Sequence, residues 1–128
     1  MVRAAELKWV PVPSLPKGAQ LALIEGPMDQ AVAFTVRLKL PANYHIPPHW
    51  HPAAERVTVL SGEFHMGAGP TFDKTKTHAL APGDVSIMQP RTQHFAWTSE
   101  ETVLQLHGTG PWGITYINPA DDPRRKSP

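Results

Sequence analysis

The chain has 128 residues, enough for one compact domain with a buried core and too few for two substantial ones. Hydrophobic residues at 41% and charged residues at 18% describe a soluble globular chain, and 12 basic against 11 acidic side chains leave a net +1 that would gather neither nucleic acid nor anionic lipid. No apolar stretch approaches the roughly 20 residues of a membrane-spanning helix, and the absence of cysteine excludes disulfides and thiolate metal sites.

The start, "MVRAAELKWVPVP", lacks the apolar core and small-residue cleavage pattern of a secretory signal, so the cytoplasm is the expected compartment. Fifteen prolines and nine glycines are spread along the chain, so breaker-free segments are short and many short strands are expected rather than long helices. The first is "AQLALIE" at 19 to 25. The next, "FTVRLKL", sets Phe34, Val36, Leu38 and Leu40 on one side and Thr35, Arg37 and Lys39 on the other, the alternation of a half-buried strand.

After the turn Pro41-Ala42-Asn43 comes "HWHPAAE", where His49, His51 and Glu55 crowd into seven residues. Residues i and i+2 share a side only on extended backbone. Pro47, Pro48 and Pro52 favour that state, which separates the pair from helical HExxH metal sites. Two such histidines stand about 6.6 Å apart along a strand. Inward-leaning imidazoles can close that gap onto one ion at about 2.1 Å per nitrogen. Glu55, Val57 and Val59 have the same parity, so one continuous face is expected to carry ligands at one end and core at the other. Nitrogen and carboxylate donors suit a divalent transition metal, one of iron, manganese, cobalt, nickel, copper or zinc, over calcium or magnesium.

Further strands are predicted at 56 to 61, 63 to 67 and 85 to 89, with turns at Ser61-Gly62, at Gly67-Ala68-Gly69-Pro70 and at Pro82-Gly83-Asp84, where Pro-Gly suits a type II turn. Then comes "HFAWT" at 94 to 98. His94 is the best candidate for a further ligand from a distant strand. Ala96 and Thr98 share its face and leave room for a bound molecule. The turn Ser99-Glu100-Glu101 leads to "TVLQLHG" at 102 to 108 and then "GITYIN" at 113 to 118. Eight or so short strands at this spacing suggest a closed barrel or sandwich. The amino-terminal dozen residues, the 67 to 78 loop and the tail after Asn118 are expected to be loose.

Several residues carry open readings. His107 shares a side with Gln105, opposite Leu104 and Leu106. If that side points inward, the pair lines the cavity and His107 can act as acid or base; otherwise it is a wetted outer face. Tyr44 and Tyr116 either offer a phenol to substrate or anchor a barrel end. His45 and His78 are placed in loops and His65 on an exposed face. Trp9, Trp50, Trp97 and Trp112 are assigned to core or subunit interface, and Arg124-Arg125-Lys126 to solvent.

His49-x-His51, three residues, Glu55, six residues and Gly62 resemble the first cupin motif. Gly83 followed eleven positions later by His94 resembles the second. The resemblance, to small single-domain bacterial cupins, runs from about Phe34 to Asn118. It departs at Asn43, where the motif usually opens on glycine; at Pro90, one position late; at Arg91 or Thr92, in place of an inner glycine; and at Thr98, in place of a frequent asparagine. The resemblance implies an all-β conserved barrel, or jelly roll, spanning about 19 to 118 with a polar tail at 119 to 128. It also implies His49, His51, Glu55 and His94 as metal ligands. It further implies a homodimer, with Phe95 and Trp97 as interface residues. Two functional readings follow. One is a metal-dependent enzyme of dioxygenase, isomerase or lyase type acting on a small oxygenated organic molecule, with Glu55 and His107 as catalytic groups and Gln105, Tyr44 and Thr98 lining the substrate. The other is a non-catalytic module that binds or senses a small ligand.

Overall fold

The computed structural model describes residues 1–125. Eleven strands follow in chain order: β1 (Val10–Pro11), β2 (Gln20–Glu25), β3 (Ala33–Leu40), β4 (His45–Trp50), β5 (Glu55–Ser61), β6 (Phe64–Ala68), β7 (His78–Leu80), β8 (Val85–Met88), β9 (His94–Trp97), β10 (Thr102–Thr109) and β11 (Thr115–Tyr116). They form two antiparallel sheets, one ordered β1-β2-β3-β10-β5-β8 and the other β11-β4-β9-β6-β7. This is the double-stranded β-helix of a cupin barrel. No helix among the described residues is long and apolar enough to cross a membrane.

The six-stranded sheet shows why binary patterning selects this packing. Leu104 of β10 lies opposite Leu38 of β3 and Val59 of β5, and Leu106 opposite Val36 and Val57, so each cross-strand row puts three aliphatic side chains on the inner face. These six residues are all buried. Each contributes roughly 1.5–3 kcal/mol from leaving water. From the other sheet Ile46, Phe64, Met66 and Ala96 meet them to complete the core. One residue out of phase, Thr35, Arg37 and Lys39 of β3 sit on the outer face.

Three strands escaped the sequence reading: β1, two residues inside the amino-terminal segment expected to be loose, β4 and β7. β4 contains Pro47 and Pro48, which cannot donate to a ladder, and β7 is only three residues long. The segment between β6 and β7 is not loose: Asp73 caps the 3-10 turn Lys74–Lys76 through its carboxylate to Thr75 N, and Phe72 packs 5.2 Å from Phe95. Phe95 is therefore 1% exposed and covered by its own chain, which corrects its assignment to a subunit interface. Trp97 stacks on His65 at 3.8 Å beneath the Lys74 ammonium. His65 is accordingly half-buried rather than exposed, and its Nε2 lies 2.8 Å from Glu63 Oε1.

The departures from the cupin pattern resolve into backbone geometry. Asn43 and Arg91 both have positive φ, 55° and 64°. Asparagine tolerates that region, and Arg91, rather than Thr92, fills the place of the inner glycine. Pro82-Gly83 forms the expected type II turn: Gly83 has φ 92°, and Asp84 N donates to Ala81 O at 2.9 Å. At Asn43, replacement by glycine should leave stability within about 0.5 kcal/mol, whereas valine, whose branched Cβ clashes at this φ, should cost about 1–2 kcal/mol. Urea denaturation of the two variants checks this.

Candidate metal centre

The site begins with a defect in a ladder. β4 pairs with β9 so that Ile46 faces Ala96 and His49 faces His94, leaving Pro47 and Pro48 opposite Phe95 alone. Two residues against one is a β-bulge. It moves the inward parity by one, so Ile46 and His49, three apart, both point into the barrel. The His49 and His94 rings consequently meet across the strands with centroids 4.2 Å apart. His51 lies just past the end of β4, where its carbonyl accepts a hydrogen bond from Arg91 N at 2.8 Å, and its ring stacks on Trp112 at 4.1 Å.

The expectation of one continuous face from His49 to Val59 is corrected here. The chain leaves one sheet after Trp50 and enters the other at Glu55, which pairs with Met88. Glu55, Val57 and Val59 do share a face, but they look inward from the opposite wall. The carboxylate thus approaches the imidazoles across the barrel: Oε2 lies 3.3 Å from His51 Nε2 and Oε1 3.3 Å from His94 Nε2. All four residues are buried.

The rings are fixed in orientation. His49 Nδ1 donates to Pro47 O at 2.7 Å, His51 Nδ1 to Gly113 O at 2.7 Å and His94 Nδ1 to Thr92 O at 2.8 Å. A carbonyl only accepts, so each Nδ1 carries the hydrogen and each neutral ring keeps its lone pair on Nε2. The Nε2 atoms of His51 and His94 are buried and have no hydrogen-bond partner among the described residues; the Glu55 oxygens, 3.3 Å away, are acceptors themselves and offer these lone pairs no donor. Ligand atoms from His49, His51 and His94 lie within 4.8 Å of one another, so the three histidines could hold a metal ion. Carbonyl partners on the far ring nitrogens are the outer support that metal-binding histidines ordinarily have.

Electrostatics favour the ligating forms at two positions. Burial, then the neighbouring His94 and His51, lowers the His49 pKa to about 3, so this ring stays neutral. Burial alone would raise the Glu55 pKa, but His51 and His94 overcome it and hold the carboxyl well below the usual range. At His94 burial disfavours the cation, yet the Glu55 carboxylate outweighs it and raises the pKa.

Above this cluster opens a cavity of about 340 Å³ with mostly aliphatic and aromatic walls, including Val36, Leu38, Ile46, Phe64, Leu104 and Leu106, and with Asp29 and Arg124 among the few polar residues. Ala96, beside His94, lines it as expected. The other predicted lining residues do not. His107 is exposed, and Gln105 turns outward to accept from Arg37 Nε at 3.1 Å, because Leu104 and Leu106 take the inner positions of β10. The Thr98 hydroxyl is consumed by the barrel end, donating to Pro41 O at 2.7 Å and accepting from Tyr44 N at 3.1 Å. The Tyr44 hydroxyl donates to Pro16 O.

Tyr116 donates to Ser14 O at 2.6 Å, so two phenols, both with pKa raised chiefly by burial, tie down the segment 12–16 between β1 and β2. Val12, Ser14 and Leu15 of that strap line the cavity, as do Trp112 and Ile114 near the end of the barrel. The sequence offered no periodic signal for these residues, since they lie in irregular backbone; the paired tyrosines were the available hint. The tail is also engaged. Arg124 Nη2 donates to Ile114 O at 2.8 Å and the guanidinium pairs with Asp122; Lys126 of the same basic run lies outside the described residues.

In metal-free protein, His49 and Glu55 both have folded pKa values below their unfolded ones, so the stability they confer is present above the unfolded values and is lost on acidification. His94, raised, works in the opposite sense. EDTA-treated protein should lose on the order of 1–2 kcal/mol between pH 7 and pH 5, and His49→Gln should flatten that slope, as read by denaturant titration at the two pH values.

Comparison with known proteins agrees with this architecture. The family model described as the ChrR cupin-like domain matches residues 1–112. Germin-like protein 9-3 of Oryza sativa subsp. japonica is 29% identical over 92 residues, covering 69% of this chain and 42% of that protein, so the chain spans less than half the length of this relative. Among solved structures, the polyketide cyclase RemF of Streptomyces resistomycificus superposes with a TM-score of 0.77 at 18% identity, over 97% of this chain and 89% of its own. A candidate acetylacetone dioxygenase of Methylibium petroleiphilum PM1 does so with 0.71 at 14% identity, over 96% and 83%. At these identities the two structures establish the shared fold alone. With the barrel, the histidine cluster and the family model in agreement, the chain belongs to the ChrR cupin-like domain family of cupins.

Proposed function

We propose that His49, His51, His94 and Glu55 hold a divalent transition metal and that the chain is a metal-dependent enzyme acting on a small oxygenated organic molecule. The observation that carries this is the convergence of three imidazoles whose Nδ1 atoms are all occupied by backbone carbonyls, with Nε2 of His51 and His94 buried and unpartnered. Leaving such groups empty in an apolar wall costs about 1–3 kcal/mol each, a cost that a cation would remove. Three neutral nitrogens and one carboxylate suit iron, manganese, cobalt, nickel, copper or zinc. When bound, such an ion supplies Lewis acidity and, if iron, oxygen chemistry.

The chain's own residues define the rest. The aliphatic walls exclude water and strengthen electrostatic interactions inside. Glu55, on loosening from the ion, is the group placed to accept a proton from an acidic C–H or enol O–H at Oε1 or Oε2. With His107 outside the barrel, the proton transfer falls to Glu55 alone. The relatives named a polyketide cyclase and a candidate acetylacetone dioxygenase support a substrate rich in carbonyl or enol oxygens. A homodimer remains the proposed assembly, through a surface that does not include Phe95.

The second reading, a module that binds or senses a ligand without turnover, is favoured by one specific observation: of the predicted catalytic groups only Glu55 reaches the cavity. The family description as a ChrR cupin-like domain is compatible with it.

Elemental analysis of protein purified without added metal should find close to one transition metal per chain. His94→Ala should weaken metal affinity by about 100-fold or more, a larger loss than the removal of an outer partner brings; metal content unchanged in that variant would refute the site. Glu55→Gln keeps the three imidazoles. It should retain metal at reduced affinity while lowering turnover of dicarbonyl substrates by about 100-fold, within the usual range for losing a general base. Metal-dependent binding of those dicarbonyls with no turnover in the unaltered protein would select the second reading.

A further inference from the structure

We propose that the ligand of this site carries, behind a pair of chelating oxygens, an apolar aryl or alkyl body about two fused rings in size, and that the strap 12–16 sets that size. The chelating part rests on the metal reading above; the apolar part rests on the cavity itself. A cavity of roughly 150 Å³ lined by aliphatic side chains stays dry and takes up benzene. The cavity here is about 340 Å³, more than twice that. A two-carbon or three-carbon chelator would leave most of it unfilled.

The polarity of the space is divided. The imidazoles and Glu55 occupy one region, and the rest of the wall is largely hydrocarbon and indole, with Ser14, Asp29 and Arg124 as its polar exceptions. Trp112 is fixed parallel to His51, 18° from coplanar, and 5.4 Å from Phe34, so it offers an aromatic wall directly beside the ligand cluster. A planar body attached to a chelating head would extend from the imidazoles along this wall. An apolar pocket with a few convergent polar groups is the usual form of a small-molecule site, and here three imidazoles and one carboxylate converge.

Val12 and Leu15 face the same void from the strap. The strap is held from two sides, by the Tyr44 phenol at Pro16 O and the Tyr116 phenol at Ser14 O, and neither hydroxyl is left for a substrate. Tyr44 and Tyr116 are thus positioning residues: they fix Leu15 against the barrel and with it the length of ligand that fits.

The test compares acetohydroxamate with 2-naphthohydroxamate, two bidentate oxygen chelators with the same head, on protein loaded with cobalt(II), following the cobalt absorption spectrum. The naphthyl compound should bind about 10- to 100-fold more tightly, the gain expected from burying an aromatic side-chain-sized surface. Leu15→Trp should collapse that ratio toward one, and the exposed His107→Ala should leave it unchanged. Circular dichroism melting confirms that each variant is folded. Tyr116→Phe, a milder change that keeps the ring, should reduce the ratio severalfold.

If acetohydroxamate perturbs the cobalt spectrum but the naphthyl compound gains nothing, or the gain survives in Leu15→Trp, this inference is overturned while the metal site stands. If neither hydroxamate perturbs the spectrum, the metal reading fails instead. The wall is then tested by itself with 2-naphthol on metal-free protein, which lacks the chelating pair. Binding that is lost in Leu15→Trp supports the apolar body, and its absence in the unaltered chain refutes it.

Discussion

Everything about the site depends on three short hydrogen bonds from imidazole Nδ1 to main-chain carbonyls. Without them each ring could place its hydrogen on either nitrogen and swing about χ2. With them, the lone pairs are fixed on Nε2 and directed inward. The acceptors are backbone atoms, at Pro47, Gly113 and Thr92, so their positions are set by the barrel rather than by further side chains. A carboxylate brought across from the opposite sheet then stands 3.3 Å from two of these nitrogens. Removing the orienting carbonyls in thought leaves four polar side chains in an oily interior with no reason to converge.

That arrangement also explains the division of labour between the sheets. The six-stranded sheet supplies the continuous aliphatic rows and one carboxylate, while the five-stranded sheet, interrupted by its bulge, supplies His49 and His94. Regular pairing gives an inner face of constant chemistry, and an interruption permits a local change in it. The apolar rows in turn keep water away from the polar cluster, where attraction between charges is strongest.

Much of this was legible in the sequence. Strict alternation in 34 to 40 placed one core row and in 102 to 108 separated two candidate faces, and His49-x-His51 with Glu55 and His94 named the residues that the barrel brings together. Asn43 could be accepted as a left-handed residue from its chemistry alone. Other features were hidden for physical reasons. Alternation shows which residues share a side but not which side faces in: Gln105 and His107 were as plausible as Leu104 and Leu106 until the opposite strands, with Leu38 and Val59, fixed the direction. Thr98 had the right parity, yet hydroxyl partners at Pro41 and Tyr44 come from 57 and 54 residues away in the chain and leave no local trace. The strap lies in irregular backbone, where no period exists to be read.

The Pro47-Pro48 bulge carries one more consequence. Ile46 and His49 are three positions apart, a spacing that would put them on opposite faces of a regular strand, and the extra residue of the bulge brings both inside. Deleting one proline would remove the bulge and leave one residue opposite Phe95, with His49 still across from His94, two positions from Ile46 and still facing inward. What the second proline adds is therefore the local bend and twist of the strand where the imidazoles meet, rather than the direction in which His49 points.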